Sequence, residues 1–119
     1  MEQQNPLKNK YENGKIYKIT DNTNGNVYYG STQKSLNRRL SDHKYDYKRR
    51  EKEGNVRTSS IIICNNDYKM ELVEAFPCNS RKELEERESY YINNFECINK
   101  MKKKNCFKVI NKQTTITFD

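Results

Sequence analysis

Gly14-Lys15-Ile16-Tyr17-Lys18-Ile19-Thr20 and Val27-Tyr28-Tyr29-Gly30-Ser31-Thr32 stand on either side of Asp21-Asn22-Thr23-Asn24-Gly25-Asn26. Lys15 aside, two runs rich in β-branched and aromatic residues around a polar turn cluster predict a β-hairpin. With an even number of residues in the loop, side-chain alternation sets Tyr17 and Tyr28 on the same sheet face. Two phenols on one face, beside a strongly basic helix, suit chemistry on a phosphate. From the hairpin alone the favoured reading is the bland one, a pair of half-buried aromatics that serve strand propensity.

Outward from the hairpin, Ser35 is the expected N-cap of a helix running to about Lys52, with Leu36, Leu40, His43 and Tyr47 turned toward the sheet at helical spacing. Glu51 to Arg57, with Gly54, reads as a surface loop. The apolar run Ile61-Ile62-Ile63-Cys64 is expected to form a short helix, although its periodicity also fits a strand. Lys69 to Phe76 alternates Met70, Leu72 and, after Val73, Phe76, which predicts a third strand ended by Pro77. Ser80-Arg81-Lys82-Glu83 has the form of a capping box, so a last long helix should start there and reach about Asn94. Met1 to Asn13 reads as an irregular lead-in, and Lys100 to Asp119 as a basic extension that carries a possible added strand.

The 119 residues fit one domain with a modest core: 33% are hydrophobic and 33% charged, and nine tyrosines can pack while keeping a polar tip wet. The net charge of +7 is concentrated. Lys34 to Arg57 holds nine basic residues against four acidic ones, and Lys100 to Lys112 holds six lysines and no acid. That balance favours a polyanionic partner, although solubility alone also accounts for it. Cys64, Cys78, Cys97 and Cys106 lack the short spacing of a zinc site, and the sole histidine, His43, precedes them all. With no secretory segment and no apolar run of spanning length, the expectation is a soluble intracellular protein with reduced thiols and no membrane contact.

Two features break local rules. Leu84, Tyr91, Ile92 and Phe95 define the inward stripe of the last helix, and Glu88 sits in its centre. A carboxylate among core positions needs an arginine, a tyrosine or a metal ion as partner, since burying it alone costs several kcal/mol. On the first long helix, Arg39 and His43 flank the apolar stripe one turn apart. Packing both helices on one sheet would bring Arg39, His43 and Glu88 to a common cleft beside the tyrosines. The bland alternatives are a partly buried Arg39–Glu88 ion pair and a surface histidine at a stripe boundary.

These residues together resemble the GIY-YIG nuclease family, over about Gly14 to Asn99. The parts are Lys15-Ile16-Tyr17, Tyr28-Tyr29-Gly30 with Ser31-Thr32, and Leu36-Asn37-Arg38-Arg39-Leu40 with His43. Arg87-Glu88-Ser89-Tyr90-Tyr91-Ile92 and Ile98-Asn99-Lys100 follow. The usual leading glycine of the first motif is Lys15 here, after Gly14, and the usual aliphatic centre of the second is Tyr29.

The resemblance implies an α+β fold, sandwich-like: a small three-stranded antiparallel sheet flanked by helices. The nuclease domain would span 14–99, between the lead-in 1–13 and the extension 100–119. The site would lie on the sheet face beneath the Arg39 and Glu88 helices. It also implies a metal-dependent DNA endonuclease that hydrolyses phosphodiesters. Tyr17, Tyr28, Arg39, His43 and Glu88 would be catalytic, Glu88 holding Mg²⁺ (or Mn²⁺). Arg39 rather than its neighbour Arg38 fits the pattern, because of the leucine that follows and the four-residue step to His43. Lys15, Arg38, Lys44, Asn99, Lys102 and Lys103 would contact nucleic acid. Tyr17, activated by a neighbouring cation or hydrogen bond, would orient or deprotonate the water, with His43 taking or relaying the proton. The substrate would be DNA, duplex or branched; a homodimer or an accessory DNA-binding protein is left open. Two other readings are a catalytically silent nucleic-acid-binding module on this scaffold, and a basic protein that docks an acidic protein.

Overall fold

The computed structural model describes residues 9–54 and 57–100. Three strands, β1 (Lys15–Asp21), β2 (Val27–Thr32) and β3 (Tyr68–Ala75), form an antiparallel sheet in the order β2-β1-β3. The helices are α1 (Leu36–Glu53), α2 (Ser60–Ile63) and α3 (Arg81–Asn94), with 3-10 turns at Lys10–Asn13 and Ile98–Lys100. This is the expected three-stranded α+β architecture. The expected added strand, with Lys102 and Lys103, lies outside the described residues.

The hairpin closes as its turn chemistry predicts. Thr20 pairs with Val27, leaving six residues between them, and Gly25 takes the left-handed conformation at φ 83°. Asp21 is fully buried and satisfied: Oδ1 accepts from Thr23 N at 2.8 Å and Thr23 Oγ1 at 2.6 Å, and Oδ2 accepts from Asn65 Nδ2 at 2.7 Å. A buried carboxylate needs such partners, and this one pins the hairpin turn to the loop before β3.

Register decides the faces. Tyr17 lies opposite Gly30 and Ile19 opposite Tyr28, so Tyr17, Ile19 and Tyr28 share a face. Ile61, Ile62 and Ile63 of α2 and Leu36, Leu40 and Tyr47 of α1 close the core over that face. Tyr29 points to the other side, where its ring stacks on Tyr91 of α3 at 5.6 Å. The expectation that α1 and α3 share a face is therefore corrected: they cover opposite faces of a two-sided sheet.

Both long helices begin as their caps dictate. Ser35 Oγ accepts from Arg38 N at 3.1 Å, and α1 ends at Gly54 in the left-handed region, so it runs past the start of the expected surface loop. Ser80 Oγ accepts from Glu83 N at 3.3 Å, while Glu83 Oε1 reaches back to Asn79 N at 2.9 Å, one residue before the usual capping-box partner.

Two apolar residues of the expected strand and helix, Leu72 and Phe95, are half exposed. Tyr17 pairs with Leu72 but Ile16 pairs with Glu74, so Val73 is an extra residue in a β-bulge. Leu72 keeps the Tyr17 face and is still 53% exposed, while the slip turns Glu74 to the other face with Ile16. Glu74 accepts from Arg87 Nε at 2.8 Å and Tyr91 Oη at 2.9 Å, which ties β3 to α3. Phe95 is 46% exposed because the helix ends there, and its ring stacks on Tyr91 at 5.6 Å.

The lead-in is less irregular than its composition suggests. Asn9 Nδ2 donates to Cys78 O at 2.7 Å and Cys78 N to Tyr11 O at 3.0 Å, which fastens the Lys10–Asn13 turn to the loop before α3. No helix among the described residues is long and apolar enough to cross a membrane.

Candidate active site

Strand β1 carries Tyr17 into the interior, and β2 makes room for it. A Cβ on Gly30 would overlap the Tyr17 hydroxyl and stand 3.0 Å from its Cε1, so the phenol lies across a position only glycine leaves open. Helix α1 then presents two groups one turn apart. Arg39 Nε donates to Tyr17 Oη at 3.2 Å, and His43 Nε2 lies 2.7 Å from the same oxygen. On the far side of the imidazole, Nδ1 lies 3.1 Å from Ser59 Oγ. The Tyr28 ring meets the His43 ring edge-on at 5.6 Å.

From the opposite face of the sheet, α3 delivers Glu88, whose carboxylate accepts from Ser31 Oγ. Glu88, Arg39, Tyr17, Tyr28 and Ser31 line one polar cleft of about 410 Å³. Arg39 and Glu88 form no ion pair there. The cleft continues past Lys34 to Lys10, Tyr11 and Arg81, beside the anchored N-terminal turn.

Burial sets the protonation states. Desolvation pulls the His43 pKa down to about 4, helped by Arg39 and Arg57 and opposed by Asp46 and Asp42, so the imidazole is neutral at ordinary pH. Burial also pushes the Tyr17 phenol well above its usual range. Tyr28 and Glu88 add to that rise, and the Arg39 charge and hydrogen bond only partly offset it. The expected lowering of this phenol by a cation is therefore outweighed. Tyr28 is raised as well, by burial first and the Glu88 charge second. Desolvation raises the Glu88 carboxyl, against the Ser31 hydrogen bond.

A comparison with known protein families matches residues 13–110 to the GIY-YIG catalytic domain. The chain belongs to the GIY-YIG family. In overall shape the chain resembles the catalytic domain of the homing endonuclease I-TevI, with a TM-score of 0.51 and 23% identity over 67% of this chain and 85% of that one. No curated protein matches. Membership places the chain among nucleases, and the likeness to I-TevI supports the fold alone.

Within this GIY-YIG domain, Tyr17, Tyr28, Arg39, His43 and Glu88 converge. Other expected contact residues do not join them. Arg38 is exposed and 3.6 Å from Asp42. Lys44 lines a separate hollow with Tyr47 and Ile63. Lys15 Nζ donates to Asn13 O at 2.7 Å and Lys34 O at 2.9 Å, so it braces the turn that enters α1. Asn99 is engaged with the Tyr29 backbone, Oδ1 accepting from N at 2.9 Å and Nδ2 donating to O at 2.6 Å. Ser31 stood only as part of the second motif, with no role of its own, and Ser59, Lys10 and Arg81 carried no sequence signal, because isolated serines and surface cations are common everywhere.

Among the described residues no three His, Cys, Asp or Glu side chains group into a metal cage. The donor chemistry still fits a hard divalent cation held through one carboxylate, since Mg²⁺ keeps several waters and shares substrate phosphate oxygens. Glu88 would be that ligand.

Proposed function

We propose that this domain is a divalent-metal-dependent DNA endonuclease, and that Tyr17, Arg39, His43 and Glu88 carry its chemistry. The observation behind this reading is the hydrogen-bonded run Arg39–Tyr17–His43 ending in the same cleft as Glu88. In such a site the Arg39 guanidinium donates to non-bridging phosphate oxygens. Tyr17 has no solvent-exposed surface. Its oxygen lies under Arg39, so drawing that guanidinium onto a phosphate would open the phenol to water.

Neither a free phenolate nor an imidazolium is available at neutral pH, which favours a concerted relay. The attacking water passes a proton to the Tyr17 oxygen as Tyr17 passes its own to His43 Nε2. The new P–O bond forms, the opposite P–O bond breaks, and the leaving oxygen takes a proton from solvent. Tyr17 ends neutral and His43 protonated, and solvent later removes that proton. Tyr28 borders the phosphate and packs against the imidazole. A cation held by Glu88 would supply charge stabilisation at the phosphoryl group.

Plasmid nicking by the purified protein tests the reading. Cleavage with Mg²⁺ or Mn²⁺, its loss in EDTA, and its loss in Glu88→Ala and Arg39→Ala are expected. Binding of DNA without nicking under any divalent ion would make this a silent binding module instead.

A further inference from the structure

Ser59 occupies the N-cap of α2 but does not cap it. An N-cap serine ordinarily takes an extended conformation and accepts from an N–H two or three residues on. Ser59 is helical at φ −61° and ψ −21°, and its side chain makes no capping bond. Its carbonyl serves the helix, accepting from Ile62 N and Ile63 N, both at 3.0 Å. The hydroxyl is turned instead to His43 Nδ1 at 3.1 Å, and both residues are buried. A side chain diverted from its local task marks a place where function overrides local preference.

The contact has a direction. Arg39 Nε can only donate, so the Tyr17 oxygen is its acceptor, and the Tyr17 proton is left to point at His43 Nε2. A neutral imidazole carries one proton, which must then sit on Nδ1 and point at Ser59 Oγ. The other tautomer would set two donors against the Tyr17 oxygen and leave a buried phenol proton without an acceptor, a cost of about 1–3 kcal/mol. When Nε2 takes a proton, the imidazolium keeps its Nδ1–H, and Ser59 Oγ still accepts from it. Base and orienting group thus stand in the relation seen wherever a third residue holds a catalytic base in place. The mounting is anchored in the core, because Ser60 after Ser59 is buried and Ile61, Ile62 and Ile63 beyond it are core residues.

We propose that Ser59 is a positioning residue that holds His43 with its Nε2 lone pair toward Tyr17 and its Nδ1 proton toward the Ser59 hydroxyl. The proposal rests on the endonuclease reading for its kinetic part only.

His43 is the one histidine in the chain, so ¹⁵N NMR of the imidazole reads it without ambiguity. The wild type should show the neutral Nδ1–H form. Ser59→Ala should mix the tautomers, and Ser59→Thr, which keeps the hydroxyl, should restore the single form. In plasmid cleavage, Ser59→Ala should lower kcat about tenfold, a fraction of what a general base contributes. KM should stay within about twofold, and Ser59→Thr should recover the rate. A wild-type proton on Nε2, or a Ser59→Ala spectrum like the wild type's, overturns the assignment. So does a shifted tautomer with unchanged kcat. The wild-type spectrum needs no variant to fold. If the wild type never nicks DNA while the tautomers behave as stated, the endonuclease reading falls and the hold of Ser59 on His43 stands.

Discussion

Asn99 grips Tyr29 by both backbone groups, with Oδ1 on its N–H at 2.9 Å and Nδ2 on its carbonyl at 2.6 Å. Tyr29 lies in β2, whose outer edge no strand covers among the described residues, so the side-chain amide supplies the pairing a neighbouring strand would give. Asn99→Ala should cost roughly 1–3 kcal/mol of stability, because two partly buried backbone groups lose their partners. Urea unfolding would measure this. DNA affinity at fixed salt should be unchanged; a variant of normal stability that binds DNA weakly would instead make Asn99 a nucleic-acid contact.

Tyr17→Phe removes the one oxygen shared by Arg39 and His43. Cleavage should fall by about 10²–10⁴-fold, the usual contribution of a positioned proton-transfer group. The buried His43 Nε2 would also lose its partner, so a stability loss of about 1–3 kcal/mol should accompany the lost rate. Loss of rate with full stability would show that the imidazole finds another partner.

Gly30→Ala places a methyl group where the Tyr17 hydroxyl sits. The phenol is boxed in by His43 and the core, so relief requires a shift of β2 or of the ring. A loss of about 1–3 kcal/mol is expected from overpacking, together with a drop in kcat. A variant as stable and active as the wild type would mean that the strand yields easily.

Glu88 is poorly solvated where it stands, which raises its pKa. A group that binds protons more tightly in the folded state weakens folding as the pH rises through its range. Glu88→Gln keeps the shape and removes the charge, so it should gain about 0.5–2 kcal/mol at pH 7, within the range of other functionally costly stabilising changes. Nicking should be lost at the same time. Thermal unfolding and plasmid cleavage on the same preparation would show both; an unchanged or lower Tm would mean that Glu88 is better compensated than its bonds to Ser31 suggest.

His43 predicts an acid-side loss of stability. Its folded pKa of about 4 lies below the ordinary 6.5, so its contribution is complete above pH 6.5 and is lost as pH falls toward 4. The full effect is on the order of 3 kcal/mol. Arg39 and Arg57 enlarge it, Asp42 and Asp46 reduce it, and Glu88 opposes it near the acid end. Unfolding free energies from pH 7 to 4 should show this slope, and His43→Gln should flatten it. A slope that persists in the variant would assign it to other groups.

Much of this arrangement was legible because it is written locally. The hairpin follows from its turn residues, and α1 and α3 from Ser35 and Ser80. Glu88 stood out as a charge amid apolar neighbours. What could not be read depends on relations across the chain. The Val73 bulge is a register slip between strands, and nothing in Lys69 to Phe76 announces it. An inward stripe tells that a helix packs but not on which side of the sheet, so the separation of α1 and α3 was invisible. Ser59 carries no signal in the sequence, and only the fold sets its hydroxyl beside His43. The raised phenol of Tyr17 depends on total burial, which a half-apolar strand does not forecast.

The order β2-β1-β3 places Gly30 and Ser31 on an outer strand, so the groups from α1 and α3 meet around the rim of the sheet rather than inside it. A rim has no entrance through which a polymer end must be threaded. A strand of any length, closed circles included, can be laid across it from the side. That geometry suits attack on internal linkages, and it leaves the choice of linkage to whatever grips the nucleic acid on either side.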